Sequence, residues 1–277
     1  MEQFHQRQLL STDMVSLDDV VCTCGARHRS ATECGTRTHL VFPYSGLYVR
    51  HVGKTESVAE ANQVLFFNGG EEYQVSHPVD GGDSSLSLHV AEDVLAELAR
   101  PSEMKREGQL AFQKQRRRID PRTQALVAML RHGLREGVAD ALEGETLALT
   151  LVRRALGERT SHASRGSWGL QKLADRAKLA LSSDLARRWT LAEVAKEVGV
   201  SPVYLTQVFR QVEGMPLYRY QMNLRLARAL DILPRYEDLT FLALDLGFSS
   251  HSHFTFAFRK AYGMSPAEFR RSVHLTK

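Results

Sequence analysis

Cysteine is scarce in this chain. Three thiols in 277 residues are too few, and odd in number, for the disulfide framework of a small secreted domain. No apolar run approaches the roughly 18 to 20 residues of a membrane span, and the start, Met1-Glu2-Gln3-Phe4-His5, lacks the basic-then-apolar order of a secretory signal. These absences lead us to expect a soluble, cytoplasmic protein with no membrane partner. Catalytic fingerprints are missing as well: there is no Gly-x-Ser-x-Gly elbow, no Walker loop and no dinucleotide-binding glycine pattern. The only His-x-His, His251-x-His253, falls in a predicted helix, where side chains two apart diverge. An enzyme is not expected.

Net charge is also small, +4 from 36 Lys and Arg against 32 Asp and Glu, and by itself it names no partner. Its distribution says more. Residues 1–104 carry 7 basic and 15 acidic side chains, a balance of −8, whereas residues 105–169 carry 13 and 7, and residues 170–277 carry 16 and 10, each +6. An acidic front and a basic back are expected when one end handles a small ligand and the other approaches a polyanion. The 43% hydrophobic and 25% charged content is that of an ordinary globular protein, long enough for two domains.

From about Val20 to Val90, short β-branched and aromatic runs alternate with turn signals such as Asn68-Gly69-Gly70 and Asp80-Gly81-Gly82-Asp83, which predicts a small sandwich or barrel. From Asp120 onward the pattern is helical. Pro121 suits a first helical turn after Asp120 as N-cap, and Leu126, Leu130 and Leu134 then recur every four residues. A second helix is predicted over 141–156. These two helices either pack back on the strands or supply a dimer face. Residues 158–169 are small and polar without apolar period and read as a linker; after them everything reads as helix, with N-caps expected at Thr190, Ser201 and Ser265.

The last 108 residues contain a repeat. Val194-Ala195-Lys196-Glu197-Val198-Gly199-Val200-Ser201 aligns with Leu242-Ala243-Leu244-Asp245-Leu246-Gly247-Phe248-Ser249, and Leu205, Phe209, Arg210, Gly214 and Met215 then align with Phe254, Phe258, Arg259, Gly263 and Met264. Each unit reads as a short helix containing a small Ala, a Gly turn, an N-capping Ser and a second amphipathic helix. That is a helix-turn-helix, whose second helix lies in a DNA major groove. Between the units, a helix over 217–233 would hold the two second helices apart. At a separation of about 34 Å, one turn of B-DNA, both could enter successive grooves on one side of the duplex.

The stretch Gly247-Phe248-Ser249-Ser250, with Phe254, Phe258-Arg259-Lys260, Tyr262-Gly263-Met264-Ser265-Pro266 and Phe269-Arg270, resembles the DNA-binding domain of the AraC/XylS family of bacterial transcription regulators. The resemblance covers about 170–272. It implies a multidomain α+β protein: a cupin-like β-barrel with accessory helices for effector sensing and dimerisation (1–157), the linker (158–169) and an all-α domain with two helix-turn-helix motifs (170–277). It further implies double-stranded DNA and RNA polymerase as partners of a homodimeric activator. Its recognition helices would span 202–212 and 250–262. Ser201, Val203, Tyr204, Thr206, Gln207 and Arg210 would face DNA from the first, and Ser250, His251, Ser252, Thr255, Phe256, Arg259 and Lys260 from the second. Members of the family commonly carry Arg or Lys where this chain has Gln207 and Phe256. A bidentate bond to guanine is therefore not on offer; Gln207 suits adenine, and Phe256 either meets a thymine methyl or is buried. Arg210, Arg219, Arg225, Arg228, Arg259 and Lys260 are candidate phosphate contacts, which position without specifying sequence.

The front half offers two sensing chemistries. Phe42, Tyr44, Tyr48, Phe66, Tyr73, His77 and His89 are aromatic or imidazole groups on predicted strands, and they line an organic-ligand pocket or form the barrel's own core. Cys22, Cys24, His28 and Cys34 are the donors zinc or copper(I) prefers, though not in finger spacing. They mark a metal- or redox-sensing regulator, or are packed thiols. A constitutive DNA-binding factor with no effector is the remaining alternative.

Overall fold

A computed structural model describes residues 4–25, 28–107, 109–157, 161–162 and 166–273. The front half is built from β1 (Phe4–Ser11), β2 (Val15–Cys22), β3 (Glu33–Cys34), β4 (His39–Gly46), β5 (Tyr48–Val52), β6 (Thr55–Ala59), β7 (Gln63–Phe67), β8 (Glu72–Ser76), β9 (Asp83–Val90), α1 (Glu92–Leu98), β10 (Met104–Glu107), β11 (Gln109–Phe112), β12 (Arg116–Ile119), α2 (Pro121–Arg135), α3 (Ala141–Leu156) and β13 (Ser161–His162). They form a seven-stranded sheet in the order β1-β2-β9-β4-β7-β12-β13, a four-stranded sheet β3-β8-β5-β6 and a β10-β11 hairpin.

Strand alternation decides which side chains meet which layer, because successive residues point to opposite faces. Leu40 and Phe42 on β4, Val64 and Phe66 on β7, and Leu86 and Leu88 on β9 join Val127 and Leu130 of α2 and Leu151 and Val152 of α3 in one core. On the other face, Val41, Leu65 and Phe67 meet Tyr48 and Ala59 of the smaller sheet. The expected barrel is therefore not closed among the described residues; the large sheet runs from edge β1 to edge β13. Closure is not needed to bury it, since helices cover one face and a second sheet part of the other.

Both predicted front helices form, α2 starting after Asp120 and α3 over the expected 141–156. Asp120 Oδ1 accepts the Thr123 amide at 2.7 Å, and Asp140 caps α3 the same way at 2.8 Å. Both pack on the strands, and α2 has a second use: Ala125 and Ala128 enter the core of the second helical unit. The helical half comprises α4 (Trp168–Ser183), α5 (Leu191–Val198), α6 (Pro202–Glu213), α7 (Leu217–Ile232), α8 (Leu239–Asp245), α9 (His251–Tyr262) and α10 (Pro266–Val273). The start of α4 at Trp168, after Ser167, takes the last two residues of the expected linker into a helix. Residues 158–160 and 163–165 of that linker lie outside the described residues.

The two halves meet through buried polar groups. From β12, Arg116 reaches Asp175 of α4 in a bidentate pair, both bonds 2.9 Å; behind it, within the helical half, Lys178 of α4 pairs with Glu213 of α6 at 2.6 Å, both side chains fully buried. The turn between β6 and β7 brings Glu60 to the Tyr220 hydroxyl, and the Gln63 amide donates to the same oxygen at 3.1 Å. Arg131 of α2 pairs with Asp231 of α7 at 2.7 Å.

Candidate nucleic-acid interface and sensor pocket

The repeat seen in the sequence is a repeat of geometry. Each short helix ends in a left-handed glycine, Gly199 at φ 73° and Gly247 at φ 79°. Past each glycine the next amide reaches back five residues, Val200 to the Ala195 carbonyl at 3.0 Å and Phe248 to the Ala243 carbonyl at 2.9 Å, the closing bond of a glycine-terminated helix. Ser201 then accepts the Tyr204 amide at 3.2 Å, and Ser250 accepts that of His253 at 3.1 Å. The surroundings differ: a Cβ on Gly199 would touch nothing, whereas one on Gly247 would sit 2.1 Å from the Ala186 carbonyl oxygen.

Leu205, Val208 and Phe209 of α6, and Phe254 and Phe258 of α9, are buried. Ser201, Val203, Tyr204, Thr206, Gln207 and Arg210 are exposed, as are Ser250, His251, Ser252, Phe256, Arg259 and Lys260, with Thr255 half-buried. The buried alternative for Phe256 is thereby excluded, since 67% of it faces solvent, with Lys260 Nζ 6.0 Å from its ring centre. Thr206 donates its hydroxyl proton to the Pro202 carbonyl at 3.0 Å, which leaves that oxygen as an acceptor.

Of the expected phosphate contacts, one is turned inward and a second, Arg228, is engaged by neighbours while 40% of its side chain stays exposed. Arg225 is buried and gives its guanidinium to the carbonyls of Leu185, Ala186, Arg187 and Gly247, clamping the α4–α5 connection to the turn of the second unit. Arg228 bonds Asp231 at 2.6 Å and Ser45 of the front half. On a helix packed on several sides, residue type alone does not reveal which cations are spent on carbonyls. Arg219 remains exposed.

Between the two sheets of the front half lies a cavity of about 690 Å³. Of the aromatic and imidazole candidates, Tyr48, Tyr73, His77 and His89 line it. Phe42 and Phe66 do not; they point to the opposite face, into the core under α2 and α3. Tyr44 lies elsewhere too, donating to Asp19 under the Arg131 guanidinium. The residues missed are on the pocket-facing parity of the same strands: His39 and Val41, Phe67, and Asp83, Ser85 and Ser87. Strict alternation from His89 would have found the last three.

Burial favours the neutral form of four of this pocket's rings. His39 and His89, their ring centres 4.5 Å apart, are each pushed down to about 4, chiefly by desolvation, and the Tyr48 and Tyr73 hydroxyls are pushed up for the same reason. The four expected metal ligands, Cys22, Cys24, His28 and Cys34, all line the cavity but do not gather round one point. β2 stops at Cys22, so Cys24 does not share its strand face, and the Cys24 amide donates to Cys22 Sγ at 3.4 Å. Among the described residues, the donor group that does gather is Cys22, His77 and Asp83.

Comparison with known proteins bears on the helical half. A helix-turn-helix domain family matches residues 194–272. The chain is 33% identical over 91 residues to the HTH-type transcriptional regulator GadX of Escherichia coli O6:H1, a match covering 32% of this chain and 33% of that protein. It is 32% identical over 126 residues to the HTH-type transcriptional activator RhaR of Klebsiella pneumoniae, covering 45% and 43%. Among solved structures, a transcriptional regulator with an AraC-type DNA-binding domain from Chromobacterium violaceum is similar at 27% identity and a TM-score of 0.37, covering 40% of this chain and 100% of that one. The chain thus spans about a third to under a half of the length of these curated relatives. No described helix is long and apolar enough to cross a membrane. The paired glycine turns and serine caps fall within the stretch 194–272 that matches the helix-turn-helix domain family, and the chain is similar to HTH-type transcriptional regulators.

Proposed function

We propose that the chain is an effector-responsive, sequence-specific transcription regulator of the cytoplasm that carries two helix-turn-helix motifs, α5–α6 and α8–α9. The observation that carries the DNA reading is the split of α6 and α9 into a buried apolar face and an exposed face bearing Tyr204, Gln207, Arg210 and their counterparts. On a major-groove helix those positions meet base edges and flanking phosphates. A genome-wide map of bound DNA, followed by footprinting, tests it. Protected half-sites about one helical turn apart are expected, and binding indifferent to sequence would overturn it.

The effector would be a small, largely uncharged molecule with a planar part, held between His39, Phe67 and Tyr73 and hydrogen-bonded by Ser85 and Ser87. What supports a response, against a constitutive factor, is the segment 77–83. His77 and Asp83 line the sensor pocket, whereas Val79 to Gly82 line a cleft of about 500 Å³ against Leu185, Ala186 and Arg228 of the helical half. One loop thus borders both chambers. A change in DNA affinity on adding ligand supports this reading, and unaltered binding across a ligand library favours the constitutive factor. Because α2 is covered on two sides, α3 is the helix left for a homodimer, with Leu142 exposed; sedimentation of Leu142→Glu checks it. Contact with RNA polymerase during activation belongs to the same proposal.

A further inference from the structure

Gly82, at φ 67°, brings its backbone so close to β2 that a Cβ there would lie 2.0 Å from the Cys22 carbonyl oxygen, and Gly46 sits equally close to the Gly82 carbonyl. This stacking of bare backbone sets Asp83 directly across from Cys22 in the β2–β9 ladder. His77 enters from the end of β8, held extended by the following Pro78, and its Nε2 lies 2.7 Å from Asp83 Oδ1. Ser85 Oγ steadies the other carboxylate oxygen at 3.4 Å. One donor atom from each of Cys22, His77 and Asp83 falls within 4.8 Å of the others, and His77 and Asp83 are buried.

We propose that these three residues form a binding site for a divalent transition metal of zinc type on the wall of the sensor pocket. One sulfur, one imidazole nitrogen and one carboxylate oxygen are the mixed donors such ions favour over calcium or magnesium. A thiolate and a carboxylate together cancel the ion's two charges, so the filled site is neutral in a setting of low polarity. Tetrahedral bonds of about 2.0 to 2.3 Å place ligand atoms about 3.3 to 3.7 Å apart. The His77–Asp83 pair must therefore open by under about 1 Å, and the sulfur, within 4.8 Å of both donors, close by no more than about 1.5 Å. On binding, metal–sulfur, metal–nitrogen and metal–oxygen bonds form, and the Cys22 thiol proton leaves to solvent. Three protein ligands leave the fourth position open, and because all three residues line the cavity, a water or a ligand atom from the cavity can complete the shell. This set differs from the one spacing predicted: it keeps Cys22 and replaces Cys24, His28 and Cys34 with His77 and Asp83, 55 and 61 positions further on.

The test is titration of the metal-free full chain with Co²⁺ and Zn²⁺, read by the thiolate-to-cobalt charge-transfer absorption and by metal content after gel filtration. About one equivalent is expected. Cys22→Ser should abolish the charge-transfer band, and His77→Gln and Asp83→Asn should weaken binding by at least about 100-fold, beyond the loss typical of an outer-shell change. Cys34→Ser should leave binding intact. Thermal unfolding of the metal-free variants separates lost ligation from lost folding, and Asp83→Asn serves as the near-isosteric check. No band in the parent chain overturns the proposal, as does a band that survives Cys22→Ser. DNA binding by the metal-free chain reports on the regulator reading separately.

Discussion

Replacing Arg116 with Met removes the guanidinium that joins β12 to α4. In the native chain it grips both carboxylate oxygens of Asp175 at 2.9 Å, with the two side chains only 5% and 11% exposed. Burial opposes the charge on Arg116, but the Asp175 carboxylate, their two hydrogen bonds and the more distant Glu213 outweigh it and hold the guanidinium above its ordinary pKa. Taking one partner from a buried pair costs about 3 to 5 kcal/mol, because the other charge is left uncompensated. Asp175 retains Lys178 Nζ at 3.1 Å, so a value near the lower end, about 3 kcal/mol, is expected. The docking free energy of the two halves sets a ceiling: where separating them costs less than stranding Asp175, the variant undocks and the carboxylate regains water.

The measurement is a double-mutant cycle of Arg116→Met, Asp175→Asn and the pair, followed by urea unfolding. Trp168 and Trp189, the chain's two tryptophans, both report on the helical half, and far-ultraviolet dichroism reports on the whole. A coupling of about 2 to 3 kcal/mol is expected, with each single change costing more than its share of the double. A coupling below about 0.5 kcal/mol, the worth of an exposed pair, would refute the view that this contact fastens the halves together.

The two glycine turns should respond unequally. Gly199→Ala should cost about 1 to 2 kcal/mol, the penalty of a left-handed residue, whereas Gly247→Ala must also displace the Ala186 carbonyl and should cost at least twice as much; equal melting temperatures would contradict the packing described. On DNA, Gln207→Ala should shift discrimination at one base pair by about 1 to 3 kcal/mol. Arg259→Ala should weaken cognate and scrambled sequences alike and reduce the salt slope by about 0.9, so identical behaviour of the two variants would remove the division of roles. His132 is pushed down to about 4, by burial first and by the Arg131 charge second, with Asp231, the Leu230 carbonyl and Arg235 also facing it. Its folded value lies below the unfolded one, so its contribution is complete above about pH 6.5 and is lost as pH falls from there towards 4, up to about 3 kcal/mol. The stability curve of His132→Gln should be flatter over that interval, and parallel curves would show that His132 does not titrate this way.

How much of this was legible in the sequence depended on whether the signal was local. The start of α2 and the bounds of α3, α6 and α9 could be read because a capping side chain, a proline at N1 or a terminal glycine acts within one turn. Leu205 and Phe254 could be assigned to the core from apolar spacing. Phe42 and Phe66 were misplaced because a strand with both faces covered carries apolar residues on each parity, and composition cannot say which face meets the pocket. Arg225 was misread for a related reason: α7 is surrounded, and a cation serving four carbonyl oxygens looks in sequence like one serving phosphate. Asp83 and His77 come to Cys22 only through the close approach of Gly82 and Gly46, a tertiary event with no local trace beyond the glycines themselves.

The charge distribution shows the same limit in another form. Region 105–169 reads as +6, the balance expected of a surface for a polyanion, yet Arg116, Arg117 and Arg131 are buried against Asp175, Glu103 and Asp231. In the helical half, Lys178 is fully buried on Glu213, and Arg225 is spent on carbonyls. These cations hold the molecule together and contribute little to its outer field, since each is neutralised within a few ångströms. The positive groups left at the surface of the helical half include Arg187, Arg188, Lys196, Arg210, Arg219, Arg259, Lys260 and Arg271, and on the proposed function these supply the sequence-independent attraction to phosphate. Sequence preference must then come from the fit of two rigidly held helices, and the buried guanidinium of Arg225, which fastens Gly247 to the α4–α5 connection, helps to fix the mutual orientation of α6 and α9.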